Sequence, residues 1–144
     1  MDMKGEYRIS ASQQAVWEAL NDPETLKACI PGCETIEKTS DTEMTATVKA
    51  KIGPVSAKFK GKVTISDLKP PHSYRISGEG QGGPAGFGKG GATVTLEQEG
   101  GDTVLRYDAN AQVGGKLAQI GARLVDGAAK KIANEFFSNF AHHV

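Results

Sequence analysis

The side chains with chemical reach are few and scattered. Cys29 and Cys33 are the two cysteines, four residues apart and without a second pair. A zinc site needs about four ligands, and His72, His142 and His143 lie far off in sequence, so ordinary buried thiols and no metal are expected. Asp108 and Asn110 take the strand parity opposite to the apolar residues around them. No nucleophile and base come together, and the pattern predicts neither catalytic residues nor a cofactor. Tyr74, Tyr107 and Gln81 are among the polar side chains that an enzyme working in an apolar cavity could use.

Two motifs invite a nucleotide and neither holds. Gly78 to Gly91 carries eight glycines in fourteen residues. Gly78-Gly80-Gly83 and Gly86-Gly88-Gly91 both match the spacing of a dinucleotide fingerprint, which requires a helix immediately afterwards to hold the pyrophosphate. Here a strand follows. Gly83 to Lys89 imitates a phosphate loop, but Gly90 stands where Ser or Thr must bind magnesium. The stretch reads as a mobile hairpin loop, with Phe87 in its middle as a gate. Lys49, Lys51, Lys58, Lys60 and Lys62 share outward parity on two strands joined at Gly53-Pro54. They predict a basic patch, serving either solubility and edge protection or docking to an acidic partner or anionic lipid.

Composition narrows the class. The chain has 144 residues, with 17 Lys and Arg against 17 Asp and Glu, so net charge gives no general attraction to nucleic acid. One domain spanning 1–144 is expected. The N-terminus MDMKGEYRIS has no apolar core of a signal peptide, and no run reaches the ~18 apolar residues of a membrane span. A cytoplasmic protein, peripheral at most to the inner face of the membrane, is expected.

The elements that position these residues follow from periodicity. Lys4 to Ser10 alternates as a strand. Ser10 with Gln13 suggests a capping box opening a short helix through Leu20, with Val16, Trp17 and Leu20 as its apolar face. Asp22 and Pro23 open a second helix, which Pro31-Gly32 ends. Cys33 to Thr39, Met44 to Ile52 and Val55 to Ile65 read as strands, followed by those around Tyr74-Ile76, Ala92-Leu96 and Leu105-Val113. One-sided alternation over consecutive strands means an antiparallel sheet with one covered face. From Gly114 to Val144 apolar residues recur at helical spacing, predicting one helix roughly 40 Å long. The order is α+β, with the final helix closing over the sheet.

Many inward residues are small: Ala46, Ala50, Ala57, Gly61, Gly78, Ala92, Ala109 and Ala111. Dense packing demands that something meet them, either a close helix or a ligand in an apolar cavity. The cavity is the favoured reading. Its expected lining is Trp17, which reads first as core and otherwise as a flat cavity wall, with Leu20, Met44, Val48, Phe59, Tyr74, Ile76, Phe87, Tyr107, Leu117, Leu124 and Ala128.

Val16-Trp17 to Leu20, DPETLKACIPGCE (Asp22 to Glu34), GPVSAKFKGKVTISDLKPP (Gly53 to Pro71) and GGKLAQIGARL (Gly114 to Leu124) together resemble the carbon-monoxide dehydrogenase G-subunit family, in order and over nearly the whole chain. That family belongs to the START/SRPBCC superfamily. The resemblance implies a helix-grip fold, a curved antiparallel sheet of about seven strands around a long C-terminal helix, with a hydrophobic-ligand cavity between them. It also implies a non-catalytic accessory protein associated with molybdenum hydroxylase subunits and the membrane, with a lipid or quinone as cargo. The superfamily also contains cyclases and aromatases, which supply the alternative of an enzyme acting in the same cavity. Longer members continue into a hydrophobic membrane-anchoring segment, whereas this chain stops at Val144, so permanent anchoring is not expected.

Overall fold

The chain, described over residues 1–144 by a computed structural model, forms one seven-stranded antiparallel sheet and four helices. The strands are β1 (Asp2–Ile9), β2 (Cys33–Lys38), β3 (Glu43–Ile52), β4 (Val55–Lys69), β5 (Ser73–Gln81), β6 (Phe87–Glu99) and β7 (Asp102–Gly114). Their order across the sheet is β1-β7-β6-β5-β4-β3-β2. Six strands thus run as a meander, and β1 returns to pair with the last of them. Short turns between consecutive strands make this the local solution for antiparallel pairing.

Register sorts the two faces. Val48 pairs with Phe59, Val63 with Gly78, and Ala92 with Ala109, all on the inner face. Thr45 pairs with Lys62 and Glu79 with Lys89 on the outer face. In β4 a bulge at Asp67, whose φ is 51°, shifts the pairing between Ser66 and Lys69. Most glycines expected in a mobile loop instead sit within β5 and β6. The connection itself is one 3₁₀ turn, Gly83–Ala85. A Cβ on Gly90 would meet the Asn110 carbonyl oxygen at 2.5 Å, so glycine lets neighbouring backbones close up there.

Helices α1 (Gln13–Leu20) and α2 (Pro23–Cys29) follow β1. The cap of α1 is Ser12, not the expected Ser10: the Ser12 hydroxyl accepts from the Ala15 amide at 3.2 Å. Asp22 caps α2 as expected, with Pro23 at its first position. The C-terminal segment is not one helix. It divides into α3 (Lys116–Gln119) and α4 (Ala122–His143), because Gly121 has φ 98° and leaves the helical region. A proline-free stretch need not be one helix, since glycine with positive φ breaks a helix as effectively. Over its 22 residues α4 is about 33 Å long.

The main core lies at one end of the sheet. Ile9, Val16, Trp17, Leu20, Leu26, Met44, Tyr74, Leu96, Leu105 and Phe140 are buried together there, with Trp17 edge-on to Tyr74 at 5.4 Å. The helix reaches this core through aromatics. Phe140 is fully buried, and Phe137 stacks on Tyr7 at 4.4 Å and on Tyr107 at 5.3 Å. Two polar ties reinforce the clamp: Tyr7 Oη donates to Asn134 Oδ1 at 2.7 Å, and Asn139 Nδ2 donates to the Cys29 carbonyl at 3.0 Å. A smaller cluster of Val55, Ala85 and Leu117 closes the opposite end.

Two outcomes follow from this distribution. Phe140→Ala should cost about 3–5 kcal/mol, as core aromatic truncations do, while Ile132→Ala, partly exposed at mid-helix, should cost less than about 1 kcal/mol; urea denaturation compares them. Burial holds the Tyr74 phenol well above its ordinary pKa, so the folded state keeps a proton that the unfolded chain loses near pH ~10. Its contribution is complete below that pH and is lost as pH rises towards the raised folded-state value. Tyr74→Phe should flatten the alkaline limb of a stability–pH profile relative to the unsubstituted chain.

Candidate functional site

The inner face of the sheet is least covered at its middle. The backbone of α4 comes nearest the sheet at β1 and β3, towards the two sides, and not over β5 and β6. Ala92, Ala109, Ala111, Gly78, Gly80, Gly88 and Gly90 face the gap and remain half-exposed. Two apolar grooves result. One, of about 290 Å³, lies between Val125, Ala128, Ala129 and Ile132 of α4 and Ile52, Gly78, Gly80, Gly88, Gly90, Ala111 and Val113 of the sheet. Glu79, Lys89 and Gln112 also border it. The other, of about 380 Å³, is lined by Met3, Ile30, Pro31, Ala129, Ile132, Ala133 and Phe136. Both include Ala129 and Ile132, so they adjoin beneath the same turn of α4. With linings this poor in polar groups, shape and apolar contact are what the grooves offer a ligand.

The largest depression is elsewhere and of another character. It measures about 750 Å³ and is lined on the outer face by Lys62, Thr64, Arg75, Ser77, Glu79, Lys89, Asn110 and Gln112, among others. Charged and hydroxyl groups dominate it, which suits water better than an apolar molecule.

The expected cavity residues divide into four groups. Ala128 lines the first groove. Trp17, Leu20, Met44 and Tyr74 are packed in the main core, with Ile76 and Tyr107 against it. Leu117 is buried in the smaller cluster and Phe59 packs beside it, while Val48 is half-buried opposite Phe59. Leu124 and Phe87 depart furthest. Leu124 is 49% exposed and lies against the Gly53 turn, because the break at Gly121 resets the helix phase that had aligned it with Leu117. Phe87 is 39% exposed. It pairs with Gln81 and Gly114, putting it in the outer-facing row with its ring over Gly114, so it does not gate the inner groove.

Val125, Ala129 and Ile132 were legible on the apolar side of the final helix, but Ile30, Pro31 and Met3 carried no signal for the second groove. They meet α4 only through the placement of α2 and β1. The five lysines are all exposed, as their parity requires. Lys58 pairs with Glu34 at 3.3 Å and Lys62 with Glu43 at 3.5 Å.

Reactive chemistry is not assembled around the grooves. No three His, Cys, Asp or Glu side chains cluster as a metal would need. Burial raises the pKa of the Cys29 thiol; desolvation also raises that of Cys33, against the opposing charge of Lys27. Both thiols are free and disfavour the thiolate. Tyr107 is raised by desolvation first and by Tyr7 second. Gln81 is exposed on the outer row.

Comparison with solved structures places this geometry. A conserved protein from Geobacillus kaustophilus superposes with a TM-score of 0.93 at 31% identity, covering 99% of this chain and 94% of that one. A START superfamily protein from Mycobacterium smegmatis gives 0.75 at 14% identity, covering 99% and 96%. The Zhui aromatase/cyclase from Streptomyces sp. R1128 gives 0.67 at 11% identity, covering 99% and 92%. The latter two likenesses are of fold alone, and they identify the architecture as the START-type helix grip. No curated protein matches the sequence. The family model for the carbon monoxide dehydrogenase G subunit (CoxG) matches residues 5–144, nearly the whole of the helix grip, and the chain belongs to that family.

Proposed function

We propose that this protein is a non-catalytic carrier of an apolar small molecule, a lipid or quinone, serving a molybdenum hydroxylase of the carbon monoxide dehydrogenase type. The observation that carries the reading is the pair of adjoining grooves under α4, where glycine and alanine stand at positions a packed core would fill with larger side chains. Family membership supports the association with the dehydrogenase. Peripheral membrane contact belongs to the same reading, since an apolar cargo is exchanged most readily with a bilayer. No helix of the chain is long and apolar enough to cross a membrane.

The enzyme alternative, a cyclase or aromatase acting in the grooves, needs a polar side chain aimed at a substrate carbonyl. Tyr74 stands in the core against Trp17 and Tyr107 is stacked on Phe137, so carriage accounts better for the groups at hand.

Native mass spectrometry of freshly purified protein should detect a co-purified lipid or quinone. Ala128→Trp tests the site directly. In an open groove the indole is accommodated for less than about 1 kcal/mol, whereas overpacking a dense core costs about 1–3 kcal/mol. The expected result is nearly unchanged thermal melting of ligand-free protein with loss of binding of a fluorescent apolar probe. A clear drop in melting temperature, with no probe binding to lose in the parent chain, would refute carriage.

A further inference from the structure

The first strand is the unbroken open edge of the sheet. β1 pairs with β7 over eight residues without a bulge, and no strand pairs with its other side. The opposite edge strand, β2, is interrupted by a register shift between Cys33 and Thr35, which blunts an edge against further pairing. Met1 and Ala111 exchange both backbone hydrogen bonds, at 3.0 and 2.8 Å. Bonded and non-bonded pairs alternate along an antiparallel ladder. Met3, Gly5 and Tyr7 therefore bond to β7, while the N–H and C=O groups of Asp2, Lys4, Glu6 and Arg8 point away from it.

The same four residues form the outer row of β1, and their charges run minus, plus, minus, plus. Reversed, the row changes sign at every position. A second β1 laid antiparallel about Gly5 meets it charge for charge, Asp2 against Arg8 and Lys4 against Glu6, each pair twice. Moving the centre one residue either way, to Lys4 or to Glu6, sets like charge on like, so the pairing favours one register. Gly5 puts no side chain at the centre, and the Tyr107 ring covers it on the inner face.

Inside the chain these charges find partners only on the β7 side. Lys4 lies 3.8 Å from Asp108, Glu6 pairs with Arg106 at 2.7 Å, and Arg8 reaches Glu99 and Asp102 at 3.2 Å. Asp2 is left without an ion pair. All four remain solvent-exposed, so their other side is open to a second set. Across such a junction the row Arg106–Glu6 continues into Lys4 and Asp108 of the second copy, its signs still alternating. Lysines that only guard an edge repel any approaching strand; this row attracts its own reverse.

We propose that β1 is a self-pairing edge: two copies of the chain join antiparallel about Gly5, and one sheet runs through both. The pairing is independent of the carrier reading. It sets Met3, in the wall of the second groove, opposite Tyr7 of the second copy.

Sedimentation velocity on the full chain over a dilution series tests it. Mass should rise from one chain to two with concentration and stop there, because a twofold contact uses the same edge of both copies. Lys4→Glu replaces two opposite pairs by two like pairs and should raise the dissociation constant at least about tenfold. Glu6→Lys should do the same. Mixed in equal amounts, these two variants should associate again, since each presents the other with opposite charge at both positions while contacts within each chain stay as they were. Asp2→Lys breaks no ion pair within the chain. It should weaken the dimer several-fold at unchanged melting temperature, and it decides the matter if either other variant folds poorly. Lys38→Glu, on β2, should have no effect. A chain monomeric at every concentration, or a dimer indifferent to Lys4→Glu and Asp2→Lys, would overturn the proposal. So would failure of two folded variants to recover on mixing, or loss of the dimer with Lys38→Glu, which would assign the contact to β2.

Discussion

A straight helix laid over a curved sheet touches it only where large side chains bridge the gap. In this protein Phe137 and Phe140 make that bridge at one end of α4, and Leu117, in the short helix before it, closes the smaller cluster at the other. Between them the sheet offers glycine and alanine, and α4 answers with Ala128 and Ala129. Space remains because neither surface can extend to fill it. Gly90 cannot be replaced freely, since a Cβ there would run into the neighbouring backbone, whereas at Gly78, Gly80 and Gly88 it would make ordinary contacts.

Anchoring by aromatics also explains how the domain tolerates a poorly filled middle. Burial of Phe140, Trp17, Leu105 and their neighbours is confined to the end where α1 and α2 pack, and each such side chain contributes roughly 1.5–3 kcal/mol of burial. The outer face adds little. Arg106 joins Glu6 and Glu97, both at 2.7 Å, and Arg8 joins Glu99 and Asp102, both at 3.2 Å, but all are solvent-exposed and such pairs are worth about 0–1 kcal/mol. Stability and the grooves therefore occupy different parts of the same sheet face, leaving the outer face free for charge.

Much of the fold was legible because its signals are local. Alternation at period two assigned Met44 to Ile52 and Val55 to Ile65 their faces, and the structure keeps those faces. Asp22-Pro23 opened α2 by cap chemistry that needs no tertiary partner. The candidate site was less legible. The small inner residues were visible, but large ones such as Met44 and Tyr74 were drawn into the lining when their burial comes from α1 and the strand ends packing together.

By itself the sequence determined which residues share a strand face, where α1 and α2 lie, the family, and the poverty of reactive groups, since each depends on residue type and short-range spacing. Tertiary structure alone decided three things. Gly121 adopts a positive φ, which split the final helix and turned Leu124 outward. Phe87 falls in the outward row because the turn at Gly83–Ala85 fixes its register with Gln81. Met3, Ile30 and Pro31 line the second groove with α4 because the packing of β1 and α2 brings them there, with no local signal for it. Backbone conformation at a glycine and strand register are settled by the whole packed sheet, and neither is encoded in periodicity.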